Sequence, residues 1–419
     1  MPGDFESNLK KYGELAVRVG LNLQPDQRLI VRAPVAAAEL VRAVAASAYD
    51  LGCRYVDVHY GDEQLELIRF EHAARDSFEE YPSWQVEGLA GRAREGDAFL
   101  RVTGDDPDLL KGQDPELVSL TRRIASEQSR PLLDYITRMA VNWCVISAAV
   151  PPWAARVFPE APAADRVGLL WDAIFRMCRV DAGDPAAAWK EHIDRLERRR
   201  KLLTENAYSS LHYRAPGTDL TVGLPEGHVW RGGIDRSSAG TVFVPNIPTE
   251  EVFTMPHCRR TDGRVRSTKP LNYGGSLIED FSVTFAEGRI VEASAGQGED
   301  ILRNLLDTDD GAARLGEIAL VPDSSPVSRS GRLFYNTLFD ENASSHVALG
   351  QAYNVCLEDG AAMEEEEFSA AGGNLSVVHV DFMIGSGEMD IDGVLSDGTR
   401  EAVMRGGEWA VEVQGPDQS

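Results

Sequence analysis

Along the first half of the chain, apolar positions change period repeatedly. Phe5 to Leu23 repeats with helical spacing, and Gln27 to Ala33 (QRLIVRA) then reads as a strand. The alanine-rich stretch Ala36 to Leu51 predicts a second helix, and Arg54 to Tyr60 (RYVDVHY) alternates with period two. Glu63 to Ala74 is helical again, while Ala98 to Thr103 (AFLRVT) and Cys144 to Ala148 (CVISA) are further strands. Strands alternating with helices of this length predict βαβ units and a mostly parallel, doubly wound sheet. No GxGxxG or Walker glycine pattern stands at a strand-to-helix turn, so this half lacks a nucleotide fingerprint.

Ala186 to Asn206 is a charge-laced helical segment, and the pattern changes after it. Short β-like runs (Ser210 to Ala215, Asp219 to Gly223, Gly240 to Pro245, Phe281 to Phe285, Arg289 to Ala295) are separated by Gly, Pro, Asn and Asp. A few helices are expected among them, such as Glu299 to Leu306, and the run Met363 to Phe368 (MEEEEF) reads as a solvated loop. The fold class is therefore α/β: an N-terminal doubly wound α/β domain over 1–205, and a β-rich α+β domain over 206–419.

Composition narrows the function. The 419 residues carry a formal charge of −25, which argues against nucleic acid and against anionic membrane surfaces. No apolar stretch is long enough to span a bilayer, and the N-terminus lacks the order of a signal peptide. Five widely spaced cysteines without a CxxC suggest neither a disulfide framework nor a thiolate zinc site, and fit a reducing cytoplasm. HExxH and GxSxG are both absent.

What remains is a set of carboxylates and histidines in the second half. In Asn374 to Gly385 (NLSVVHVDFMIG), read as a strand, His379 and Asp381 share one face while Val378, Val380 and Phe382 take the other. An imidazole beside a carboxylate suits a divalent metal, and equally an ordinary hydrogen-bonded pair. Asn336 to Tyr353 holds Asp340, Glu341, His346 and Tyr353, which read equally as a turn, a cap and packing. Asn246 to Pro256 (NIPTEEVFTMP) either starts a helix capped by Thr249 or points a carboxylate inward. Glu317 opens the apolar run of LGEIALV, an unusual place for an unpaired carboxylate.

These segments together resemble the aminopeptidase T / aminopeptidase S / PepS family of bacterial dinuclear metallopeptidases. The residues carrying the likeness are NIPTEEVFTMP (246–256), LGE (315–317), NTLFDENASSHVALGQAY (336–353) and HVDFMIG (379–385), with TKPLNYGG (268–275) in support. The resemblance implies metal ligands Glu251, Glu317, His346, His379 and Asp381, with Glu341 as a further candidate and Glu250 as the alternative to Glu251. It implies two divalent metals, zinc or cobalt, with magnesium or manganese as alternatives. It places Tyr353 at the metal centre and Glu317 as bridging and catalytic. The implied activity is removal of N-terminal residues from peptides with a free amine, by a homodimer. Three other readings keep the same residues: a mononuclear iron ring-cleaving dioxygenase using His346, His379 and Asp381, a narrow-substrate amide hydrolase, and a non-catalytic scaffold.

Overall fold

The computed structural model describes residues 2–273 and 276–410. Gly274 and Gly275, which end the TKPLNYGG segment, lie outside the described residues. The chain divides into two compact units, Met1–Glu191 with Ile234–Pro248, and His192–Gly233 with Thr249–Ser419. The division at 191/192 falls inside the long helix Pro185–Asn206, whereas the expected boundary stood at that helix's end.

The first unit contains a parallel sheet of β1 (Arg28–Pro34), β2 (Tyr55–Gly61), β3 (Ala98–Thr103) and β4 (Trp143–Ser147) in the order β2-β1-β3-β4. Leu29, Val31, Leu100, Val102 and Ile146 point to one buried face. Ile30 and Phe99 point to the other, where they pack on Val86 and Leu89 of α1 (Ser83–Arg94) and Leu132 of α2 (Pro115–Thr137). Apolar side chains on both faces are what a doubly wound sheet requires, because helices cover each side. The segment 234–248 returns to this unit along β4: the Val145 N–H donates to Pro245 O at 2.7 Å and the Ile247 N–H to Val145 O at 3.0 Å. The run Gly240 to Pro245, expected as a strand of the β-rich half, thus belongs to the first unit, and only Val242–Phe243 is extended enough to pair.

The second unit holds an antiparallel eight-stranded sheet that runs from Arg289–Ser294 at one edge through Ser210–Ala215 to Glu408–Trp409 at the other. A separate four-stranded sheet positions the candidate chemistry. It comprises β5 (Val252–Thr254), β6 (Leu315–Leu320), β7 (His346–Gly350) and β8 (His379–Met383) in the order β8-β7-β6-β5, all antiparallel. Val252, Ile318, Leu320, Val347, Leu349 and Phe382 turn to the shared apolar core.

Three local expectations are corrected. The glutamate run forms a helix, Glu365–Ala370, because Glu364 and Glu367 make a reciprocal capping box and the acidic first turn suits the positive end of the helix. Thr249 starts no helix, since the chain enters β5 within three residues. The strand read over Asn374 to Gly385 shortens to His379–Met383. Upstream of it, Asn374 donates to Gly311 O and Gly350 O, and Ser376 donates to Asp309, so polar side chains hold that backbone in an irregular path.

Candidate metal centre

The register of the four-stranded sheet gathers the predicted residues on one face. Glu317 on β6 stands opposite Ala348 on β7, which stands opposite Asp381 on β8. In the neighbouring row, Ala319 faces His346 and His346 faces Met383, while Gly350 faces His379. Side chains two apart share a face, so Glu317, His346, His379 and Asp381 project together, and the small residues Ala319, Ala348 and Gly350 leave the floor between them open. Glu251 immediately precedes β5, two residues before Phe253, which pairs with Ala319.

A β-bulge between Leu315 and Glu317 aims the glutamate. The register slips there, and Gly316 lies so close to the strand beyond that a Cβ would come within 2.3 Å of Gly350 O. Gly350 itself has φ +100°, and a Cβ there would meet Val378 O. These two glycines let three strands approach closely under the cluster.

The distances are specific. His346 Nε2 lies 3.3 Å from Glu251 Oε2 and 3.7 Å from Glu317 Oε1. His379 Nε2 lies 3.7 Å from the other glutamate oxygen, Glu317 Oε2, and 3.6 Å from Asp381 Oδ1. Two groups of three ligand atoms result, Glu251/Glu317/His346 and Glu317/His379/Asp381, each within 4.8 Å of one another. Glu317 gives one oxygen to each group.

Of these separations, all but the 3.3 Å contact are too long for hydrogen bonds. They match the roughly 3.4 Å edge of a tetrahedron whose ligand bonds are about 2.0–2.1 Å. Asp381 Oδ1 is buried and makes no hydrogen bond. The other imidazole nitrogens are anchored: His346 Nδ1 pairs with Ser344 O at 3.1 Å and His379 Nδ1 with Gln351 O at 2.7 Å. A proton on each Nδ1 satisfies those carbonyls and leaves Nε2 as the inward lone pair.

The charge pattern asks for cations. Glu317 and His346 are 6% and 1% exposed, and an uncompensated carboxylate removed from water costs several kcal/mol. Without metal, protons fill that role. Burial opposes charge on the imidazoles, but Glu317, Glu251 and Asp381 outweigh it and hold His346 at about 10; Asp381 and Glu317 hold His379 at about 9. Burial, offset in part by His346, lifts Glu251 to about 8. Asp381 stays below the usual carboxylate range because its imidazole contacts outweigh its burial. The donor set, the orphaned oxygen and the negative excess all fit divalent cations.

Glu341 lies outside both ligand groups. It lines a cavity of about 290 Å³ with His379, Asp381, Asp340, Leu271, Tyr273 and Val380. Burial and the nearby charges of Glu251 and Asp381 push its carboxyl well above the usual range. The Tyr353 ring packs 4.8 Å from His379 and 6.4 Å from Phe253 and stays 40% exposed. Desolvation and then Glu317 and Asp381 raise its hydroxyl well above the ordinary tyrosine value. The choice between the adjacent glutamates is also visible: Glu250 Oε2 turns to His192 Nε2 at 3.7 Å, while Glu251 turns to the cluster.

Sequence reasoning passed over two supports of this region. Asn342 is fully buried, accepts from the Glu250 N–H at 2.6 Å and donates to Leu338 O at 2.9 Å. His192 pairs with Thr249 O at 2.7 Å. His192 lies far away in sequence, and Asn342 read as part of a turn, so no local pattern marked either.

Comparison with known proteins agrees along the whole chain. The profile of the thermophilic metalloprotease (M29) family matches residues 5–409. The chain is 49% identical to aminopeptidase 2 of Geobacillus stearothermophilus over 98% of its own length and 99% of that protein. It is 45% identical to aminopeptidase AmpS of Bacillus subtilis, covering 97% and 99% respectively. The solved structure of wild-type AmpT from Thermus thermophilus superposes with a TM-score of 0.93 at 46% identity, over 97% of this chain and all of that one. These relatives lend no support to a dioxygenase, a narrow amide hydrolase or a scaffold. The chain therefore belongs to the M29 metalloprotease family and is a metal-dependent aminopeptidase.

Proposed function

We propose that this aminopeptidase works with two divalent cations, zinc or cobalt, one held by Glu251, Glu317 and His346 and the other by Glu317, His379 and Asp381. The observation that carries this reading is the split of Glu317, Oε1 towards His346 and Oε2 towards His379. When bound, such cations supply Lewis acidity to the scissile carbonyl and bring the acidity of a water close to neutral pH.

The chain's own residues do the rest. Ser344 O and Gln351 O fix both imidazoles so that Nε2 faces inward. Glu317 is the shared ligand on which both halves of the centre depend. Glu341, half-buried at the cavity wall and outside the ligand groups, would accept the water's proton and return it to the leaving amine. Glu251 and Glu317 have their oxygens committed to the ligand groups, which is why Glu341 takes the relay in this reading. Tyr353, kept protonated by its surroundings, donates a hydrogen bond to the developing oxyanion. Direct capture of the substrate's free α-amine at the site would restrict cleavage to N-termini, and the chain's acidic charge adds only a minor attraction at physiological salt.

The same proposal includes a homodimer, for which the family resemblance is the support, and a cytoplasmic location, which agrees with five buried free cysteines. The test is metal removal followed by assay on an aminoacyl p-nitroanilide. Activity is expected to vanish and to return with Zn²⁺ or Co²⁺ in proportion to two ions per chain. Full return at one ion per chain would refute the shared-ligand centre.

A further inference from the structure

In the first unit the strand order β2-β1-β3-β4 reverses direction between β1 and β3. In open parallel sheets, ligands bind beyond the carboxyl ends of the strands at that point. Arg32 on β1 and Arg101 on β3 are direct register partners across it, near the carboxyl ends of both strands. His59 on β2 is the register partner of Arg32 on the other side, so three basic side chains cross the sheet in one row.

The row lies on the face that α1 and α2 cover, towards the carboxyl ends of the strands. Ile30 and Phe99, two residues earlier on the same strands and same face, are 1% and 7% exposed. Arg32 and Arg101 are open to solvent. Neither arginine has a hydrogen-bond or ion-pair partner among the described residues. Asp97, four residues before Arg101, pairs with Arg28 at 2.8 Å, Asp57 on the adjacent strand lies 3.4 Å from His59, and Glu63 accepts from the Asp106 N–H at 2.7 Å. Partial desolvation and then the charge of Arg101 lower the Arg32 pKa, with Tyr81 opposing them. A chain with a formal charge of −25 has carboxylates to spare, yet none stands opposite this pair. Guanidinium groups on adjacent register positions can grip a planar or tetrahedral oxyanion through two hydrogen bonds each.

We propose that Arg32 and Arg101, with His59 beside them, form a binding site for a small oxyanion, a phosphate or carboxylate group, at the topological switch point of the first unit. The site involves none of the metal-centre residues.

The test uses the full-length, metal-loaded protein, titrated calorimetrically with inorganic phosphate and with succinate against chloride of matched ionic strength. Wild type is expected to bind at least one of the two anions. Phosphate alone points to a phosphoryl group as the natural ligand, and succinate alone or equally to a carboxylate. Arg32→Gln and Arg101→Gln should each weaken that binding about 10- to 100-fold, the loss expected for one charged hydrogen-bonding partner. Both should keep wild-type hydrolysis of an aminoacyl p-nitroanilide, and neither should lower Tm in anion-free buffer. Binding to the metal centre instead would survive both substitutions. That result, absence of binding to wild type, or a lowered Tm in the variants marking a structural role would each overturn the proposal.

Discussion

Each unit carries a four-stranded sheet with ionisable side chains on one face, and the two faces solve the charge problem in opposite ways. On the sheet of the second unit, Glu251, Glu317 and His346 are buried, His379 and Asp381 half-buried, and the groups interleave at 3.3 to 3.7 Å. On the parallel sheet of the first unit, two arginines stand side by side in register without a counter-charge. A buried cluster must be neutralised from within, so its geometry is fixed by what it holds. An exposed pair is tolerated by solvent and is open to whatever anion arrives. The first arrangement predicts strict dependence on its ligand for activity, and the second a graded response.

The sheet of the second unit is most sensitive at Glu317. Glu317→Gln removes a charge that both ligand groups share, and activity should fall about a thousandfold, the scale of losing several kcal/mol of transition-state stabilisation. Metal content measured on the same sample should fall for both ions, whereas Asp381→Asn should lower only one. Next in size is Ala348→Leu. The added side chain enters the gap between Glu317 and Asp381, and metal content should drop with activity. The fold should survive, since overpacking costs about 1–3 kcal/mol, and circular dichroism would show it.

A smaller effect is expected at Gly350→Ala. The left-handed backbone and the close Val378 carbonyl would shift the strand beside His379, and metal affinity should weaken about 10- to 100-fold, as for other supports of a ligand. The pH dependence sharpens the same point. Without metal, His346, His379 and Glu251 titrate at about 10, 9 and 8, so they hold protons at neutral pH. A cation must displace those protons. Metal affinity should therefore rise with pH through neutrality and binding should release protons, read by calorimetry in buffers of different ionisation enthalpy. The smallest effect belongs to the other sheet, where removing one arginine should leave Tm in anion-free buffer unchanged or slightly raised.

The two regions also differed in how far the chain disclosed them. The parallel sheet was legible because β1, β3 and β4 are largely apolar runs and β2 alternates with period two, and Ala98–Thr103 was placed to the residue. The partnership of His379 with Asp381 was legible from period two alone. The bulge at Gly316 was not, because a register slip depends on the neighbouring strand and leaves no local pattern. The turn of Glu251 to the cluster and of Glu250 to His192 depends likewise on a long-range contact. The irregular path of Asn374 to Val378 was misread because its backbone partners are side chains distant in sequence. The family resemblance supplied what spacing could not, namely that residues from four segments meet at one place.

The most direct measurement is metal stoichiometry against activity. Metal-free protein would be titrated with Zn²⁺ or Co²⁺ while bound ion and hydrolysis of an aminoacyl p-nitroanilide are followed together. The account predicts no activity at zero metal and full activity only as a second ion per chain is taken up, with Glu317→Gln unable to reach either level. Full activity in metal-free protein, or a plateau at one ion per chain, would contradict it.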